Sequence, residues 1–104
     1  MKFLVETWPD PGAPPGLPSS AGFEAQTEWF RAHLANGVID VAHHAPGRAL
    51  FIFNAGSPQA LEALLADIPL RERMAAKFEP LADFWEHTAS VTAYLRKSEA
   101  SEVG

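Results

Sequence analysis

The stretch from Ile52 to Leu81 constrains this chain most. It reads as an apolar strand, a capped helix, the break Ile68-Pro69-Leu70, and a further strand closed by Glu79-Pro80-Leu81. Ser57 offers a side-chain oxygen to the first-turn N–H groups, and Pro58 suits the first helical position, where no N–H is needed. Leu61, Leu64, Leu65 and Ile68 recur at helical spacing and predict the buried face, which Pro69 ends. The preceding strand, expected over Arg48–Asn54, contains Leu50-Phe51-Ile52-Phe53. An apolar run on both faces of a strand requires cover on both sides of its sheet. The closing strand is expected over Lys77–Leu81.

Composition excludes several classes. The 104 residues suit one domain, and an apolar content of 47% supplies one modest core. A net charge of -5, with lysine and arginine scattered rather than striped, argues against nucleic-acid binding. Without cysteine there is no disulfide scaffold, thiolate catalysis or Cys-bound zinc. No apolar run approaches the roughly 20 residues that cross a bilayer. Met1 to Glu6 lacks the long apolar stretch of a signal peptide, so a soluble, cytoplasmic protein is the expectation.

The rest of the chain supplies matching elements. Lys2–Trp8 alternates and is rich in β-formers, predicting a first strand. Pro9–Ser20 holds five prolines and two glycines and must be a loop, read as a surface connector more readily than as a cover for a pocket. A helix capped by Ser19 or Ser20 is expected to run to Asn36 and stop at Gly37. Its core stripe is read as Phe23, Thr27, Phe30 and Leu34. Val38–His44 reads as a second strand, joined to the third by Ala45-Pro46-Gly47. A last helix is placed between Asp83 and Lys97, with a frayed tail over 98–104.

The resulting order, β-α-β-β-α-β, is the ferredoxin-like sandwich of the α+β class, with an added C-terminal helix and one domain over 1–97. Its two main helices cover one face of a four-stranded antiparallel sheet. In the first strand Phe3 and Val5 are assigned to that covered face, and Leu4, Glu6 and Trp8 to the other. A monomer has nothing left to cover the second face, so a homodimer through sheet faces is expected, with further assembly left open.

The run Ile52-Phe53-Asn54-Ala55-Gly56-Ser57, the helix with Leu61 and Leu64-Leu65, and then Ile68-Pro69-Leu70, Met74 and Glu79-Pro80-Leu81 resemble the dimeric α/β-barrel superfamily. Within it they are most similar to the muconolactone isomerases. The opening strand Met1–Val5 and its proline-bearing loop extend the resemblance to about Leu81. The resemblance implies a double-bond shift in a small lactone by proton abstraction and return, without metal or cofactor. It also implies an acidic group on the first helix, for which Glu24 and Glu28 are candidates beside a plain solvated helix face. Three departures stand out. Glu6 replaces an expected basic residue, Ala49, Leu50 and Phe51 replace polar and aromatic ones beside Gly47-Arg48, and the tail beyond Leu81 is longer.

A proton shift needs one group that alternates between base and acid in an apolar pocket. Glu6 fits if Leu4 and Trp8 flank and desolvate it; the other reading is an ion pair with Arg48 or a lysine of a partner chain, or simple exposure at the strand end. His43 and His44 face opposite sides of their strand. With Val41 toward the helices, His44 looks to the open face and suits proton transfer, since an imidazole titrates near neutrality; the other reading is a polar pair at a strand end beside a hairpin. Arg48 can clamp a carboxylate through its planar fork, beside the plainer reading of a surface charge on the hairpin. Trp8, His43, Trp29 and His33 complete the candidate substrate-binding set, with packing as the competing role for Trp29. No spacing among the histidines supports a metal site.

The function expected from this reading is a cofactor-independent isomerase of a small acidic or lactone-like substrate, in aromatic catabolism. The alternatives are a cyclase, dehydrochlorinase or cofactor-free monooxygenase on the same scaffold, or a non-catalytic ligand-binding homodimer. A barrel interior filled by Phe51, Phe53 and Trp8 would favour the last.

Overall fold

The computed structural model describes residues 1–103, so Gly104 lies outside the described residues. Strand β1 (Lys2–Pro9) leads through the proline-rich loop to helix α1 (Ser20–Ala35). Strands β2 (Ile39–Ala45) and β3 (Arg48–Asn54), helix α2 (Pro58–Ala66), a 3₁₀ turn at Arg71–Arg73, strand β4 (Met74–Leu81) and helix α3 (Phe84–Val103) follow. All neighbouring strands are antiparallel, in the order β2-β3-β1-β4. This is the expected β-α-β-β-α-β arrangement of an α+β domain.

Alternation along β1 sets the two faces. Phe3, Val5 and Thr7 are buried, and Phe3 and Val5 lie directly opposite Phe53 and Phe51 of β3. With Ile39, Leu61, Leu65 and Ile68 they make the core between sheet and helices. Ser57 caps α2 by accepting from the Ala60 N–H at 3.1 Å, with Pro58 in the first turn, as its sequence predicts.

Three details depart from expectation. Strand β4 starts at Met74 rather than Lys77, because β1 runs on to Pro9 and pairs with Met74-Ala75-Ala76. Pairing with an extended neighbour overrides the weak β-propensity of the alanines. Helix α3 continues past Lys97 to Val103, so residues 98–103 are helical. Helix α1 is rotated relative to its predicted stripe. Of that stripe only Phe30 packs on the core, while Phe23 and Leu34 are 56% and 39% exposed and Thr27 is exposed.

Trp29, Phe30 and His33 form the true inner face of α1. The Phe30 ring stacks on Phe51 at 4.7 Å. Trp29 lies against Phe53, with ring centroids 6.3 Å apart, and its indole N–H donates to the Asp67 carboxylate at 3.0 Å. Trp29 thereby packs its ring on the core and still satisfies its polar atom against the end of α2.

A β-bulge between Ile39 and Val41 decides the faces of β2. Ile39 lies opposite Phe53 on the helix side, then Val41 lies opposite Ile52, so the strand changes phase by one residue. Ala42 and His44 therefore face the helices, and Val41, His43 and Ala45 face the open side. This reverses the predicted orientation of His44, since sequence alternation carries no sign of the extra residue.

Candidate functional site

The strand ends near Pro9, the β2–β3 turn and Met74 do not close against α1. A cavity of about 590 Å³ remains there, within the size range of small-molecule sites. Its floor is the helix-side surface of the sheet, including Thr7, His44, Ala49 and Met74, and Phe23 and Gln26 of α1 border it. Its roof is the proline-rich loop, with Pro14, Pro15, Leu17 and Pro18 in the lining. The loop therefore covers a pocket, contrary to its reading as a simple connector.

The roof is tied down by specific bonds. Arg73 donates from Nη1 to the Gly16 carbonyl at 2.9 Å, and the Asp10 N–H donates to the Arg73 carbonyl at 3.0 Å. The Asp10 carboxylate accepts from the Gly12 N–H at 2.8 Å, an Asx turn that bends the loop back. Below it, Leu70 adopts a left-handed backbone with φ of 62° and turns its side chain into the lining. Such a conformation costs a β-carbon residue about 1 kcal/mol, and here it directs the chain from α2 into β4 beside the cavity.

Of the residues singled out in the sequence, Trp8, His44 and Arg48 line this cavity. Glu6 and His43 lie on the open face of the sheet instead. Glu6 is largely buried at its side chain, 18% exposed, and sits 3.5 Å from Arg48 and 3.4 Å from Lys77. The ion-pair reading of Glu6 is thus the observed one, with both cations supplied by its own chain. Trp29 and His33 lie outside the cavity: their rings stack at 3.8 Å, and the His33 Nδ1–H donates to the Trp29 carbonyl at 2.7 Å.

Sequence reading missed Arg73, Gln26, Thr7 and Asp10. Only the proline-rich loop signalled that something beside β1 was unusual, and the partner that holds it lies far along the chain. Gln26 donates from Nε2 to the Pro69 carbonyl at 3.2 Å, bracing α1 against the end of α2. The lining is mainly apolar, with Arg48, Arg73 and His44 as its basic groups, an arrangement suited to a small organic anion with a hydrocarbon body.

Across the open face from this site lies a second polar cluster. Lys2 is ion-paired to Asp40 and donates to the Asn54 side-chain oxygen at 2.9 Å, while Asn54 donates to Asp40 at 2.7 Å and to the Gly37 carbonyl at 3.0 Å. The bonds from Lys2, then from Asn54, hold the Asp40 carboxyl below its ordinary value of 3.8. Asp40 is the residue at the bulge, so this cluster stabilises the phase change that directs His44 into the cavity.

Among the described residues, no three His, Asp or Glu side chains come together to hold a metal ion. No described helix is long and apolar enough to cross a membrane.

Comparison with solved structures finds muconolactone isomerase, with a TM-score of 0.65 and 19% identity, over 80% of this chain and 90% of that one. The likeness establishes a shared fold. No protein-family model matches the chain, and no curated protein matches it.

Proposed function

We propose that this protein is a cofactor-independent isomerase of a small organic acid or lactone, of the muconolactone isomerase type. The observation that carries the proposal is one cavity bringing His44 and Arg48 together on a fold shared with such an enzyme. His44 is the proton carrier. Its neutral imidazole removes a proton from the carbon beside the substrate carbonyl, and the C–H electron pair moves into an enolate. The imidazolium then returns the proton at the far carbon of the conjugated system, shifting the double bond with no net change in atoms or electrons. Arg48 faces the developing oxyanion or the substrate carboxylate.

In this reading Glu6 is a positioning residue. From the open face it pairs with Arg48, a residue that lines the cavity, with Lys77 balancing its charge. The apolar lining excludes water from the enolate, and the roof held by Arg73 closes the site. The reading assigns the protein to aromatic catabolism in the cytoplasm, as a homodimer whose second copy covers the open sheet face. Phe51 and Phe53 fill the helix-side core while the cavity stays open beside Trp8, so the filled interior that a non-catalytic homodimer would show is not what supports this assignment.

The test is turnover of muconolactone by His44→Ala. Loss of about 10²- to 10⁴-fold in kcat, with His43→Ala near the unsubstituted rate, is the expected result. Undiminished turnover in a folded His44→Ala protein removes this mechanism.

A further inference from the structure

The cavity reverses the charge of the chain around it. The protein carries a net charge of -5, yet the fully ionised residues of the lining are Arg48 and Arg73 against Asp10. Two of the three already have partners for their charge. Arg48 stands 3.5 Å from the Glu6 carboxylate on the open face, and the Asp10 carboxylate accepts from the Gly12 N–H at 2.8 Å. Arg73 differs. It is half-buried, and its Nη1–H donates to the neutral Gly16 carbonyl at 2.9 Å. Among the described residues no carboxylate stands within ion-pairing distance of it.

A guanidinium presents more N–H donors than one carbonyl can take, so part of the Arg73 fork is left without a protein acceptor among the described residues. A half-buried cation beside an apolar lining loses hydration that a neutral carbonyl only partly replaces, and the site therefore favours an entering anion. The anchor is also fixed before a ligand arrives. The Arg73 N–H donates to the Leu70 carbonyl at 2.9 Å, and the Arg73 carbonyl accepts from the Asp10 N–H at 3.0 Å. One residue thus fastens the roof at Asp10 through its backbone and at Gly16 through its side chain, which lowers the ordering cost of binding. Phe23, Leu70 and Met74 offer apolar surface in the same lining.

We propose that Arg73 is the carboxylate anchor of the cavity and that a bound carboxylate ties the ligand to the roof through it. One unanswered cation matches one carboxylate, so the ligand class is a small monocarboxylate with an apolar body. One edge of the planar fork keeps the Gly16 carbonyl while another takes the carboxylate oxygens. A carboxylate ligand therefore tightens the roof, and an uncharged ligand of the same shape does not. The assignment rests on the isomerase reading in taking this cavity as the substrate site: the substrate carboxylate goes to Arg73, which leaves Arg48 to the developing oxyanion.

Calorimetric titration of the full chain with phenylacetate, and with phenylacetamide as its uncharged isostere, tests this. The expected result is binding of phenylacetate at least about 10-fold tighter, the gain from a charge-assisted hydrogen-bonded pair, and loss of that preference in Arg73→Met. Arg71→Met removes a cation from the same turn but outside the lining, and should keep the preference. Equal affinity for the two probes in the unsubstituted chain, or binding of neither at millimolar concentration, overturns the proposal. So does a preference that survives Arg73→Met or that is lost equally in Arg71→Met. If Arg73→Met loses its circular dichroism, nuclear magnetic resonance of the unsubstituted chain decides. Phenylacetate should then shift the Arg73 side-chain N–H resonances and slow amide exchange at Gly16 and Leu17, and phenylacetamide should do neither; unmoved Arg73 resonances reject the anchor. Neither probe has to be turned over. Absent lactone isomerisation with these results intact removes the isomerase reading alone, and a lactone isomerase whose Arg73→Met variant keeps its KM removes the anchor alone.

Discussion

Glu6 sits between two cations on the open face, and one of them, Arg48, is also a lining residue of the cavity. Glu6→Gln is therefore expected to raise KM for an anionic substrate more than it lowers kcat, by about 10-fold, because a surface-linked charge pair orients rather than reacts. Steady-state kinetics checks this, and an equal fall of kcat at unchanged KM would place Glu6 in the chemical step. Asp40 makes a pH prediction. Its folded-state carboxyl is held below 3.8, so the native form binds fewer protons than the unfolded chain in acid. The contribution is complete above the unfolded value near 4 and is lost as pH falls through the lower folded value. Melting curves of Asp40→Asn and the unsubstituted chain should differ at pH 6 and converge in that acid window. The types of both residues were visible in the sequence, and their partners were not. Arg48 is reached across a strand pair, and Asp40 acquires its role only because the bulge places it beside Lys2 and Asn54.

At the scale of elements, α2 was the most legible part of the chain. Its cap, first-turn proline and leucine spacing are local, and the structure uses each of them. Ser57→Ala should cost about 1 kcal/mol, a fall of about 4–8 °C in Tm, by removing the bond to the Ala60 N–H. Leu61→Ala should cost about 2–5 kcal/mol, since its side chain is fully buried and the core cannot collapse fully around the gap. Chemical denaturation measures both. Helix α1 was misread because Phe23 and Leu34 mimic an inward stripe. Phe23 instead borders the cavity, so an apolar position serves the site rather than the core. The bulge in β2 was likewise invisible, since periodicity assigns faces only while one residue opposes one residue. The proline-rich loop shows the same limit. Arg73→Ala should release the loop from the Gly16 carbonyl and speed its proteolysis with little change in core stability, and resistance equal to that of the unsubstituted chain would show that the bond does not hold it.

At the scale of the molecule, two apolar surfaces stand uncovered: the open sheet face around Leu4, Leu50 and Ile52, and the stripe of Phe84, Val91 and Leu95 on α3. If a second copy covers the sheet, Ile52→Glu should abolish the dimer in sedimentation while sparing the circular dichroism of the monomer, because it buries a charge only in the assembly. The sequence by itself determined the strand and helix order, the capped α2, the two-faced alternation of β1 and hence the α+β sandwich. These depend on signals a few residues apart, which act before the chain is folded. Tertiary structure alone decided that His44 rather than His43 enters the cavity, that Glu6 pairs with Arg48 and Lys77, and that Arg73 pins a loop 57 residues away. Those outcomes depend on which strand lies beside which, on one extra residue at a bulge, and on packing between distant segments. The Ile52–Leu81 unit therefore specifies the scaffold, and the cavity forms where β1, the β2–β3 turn and the proline-rich loop converge beside its connection from α2 to β4.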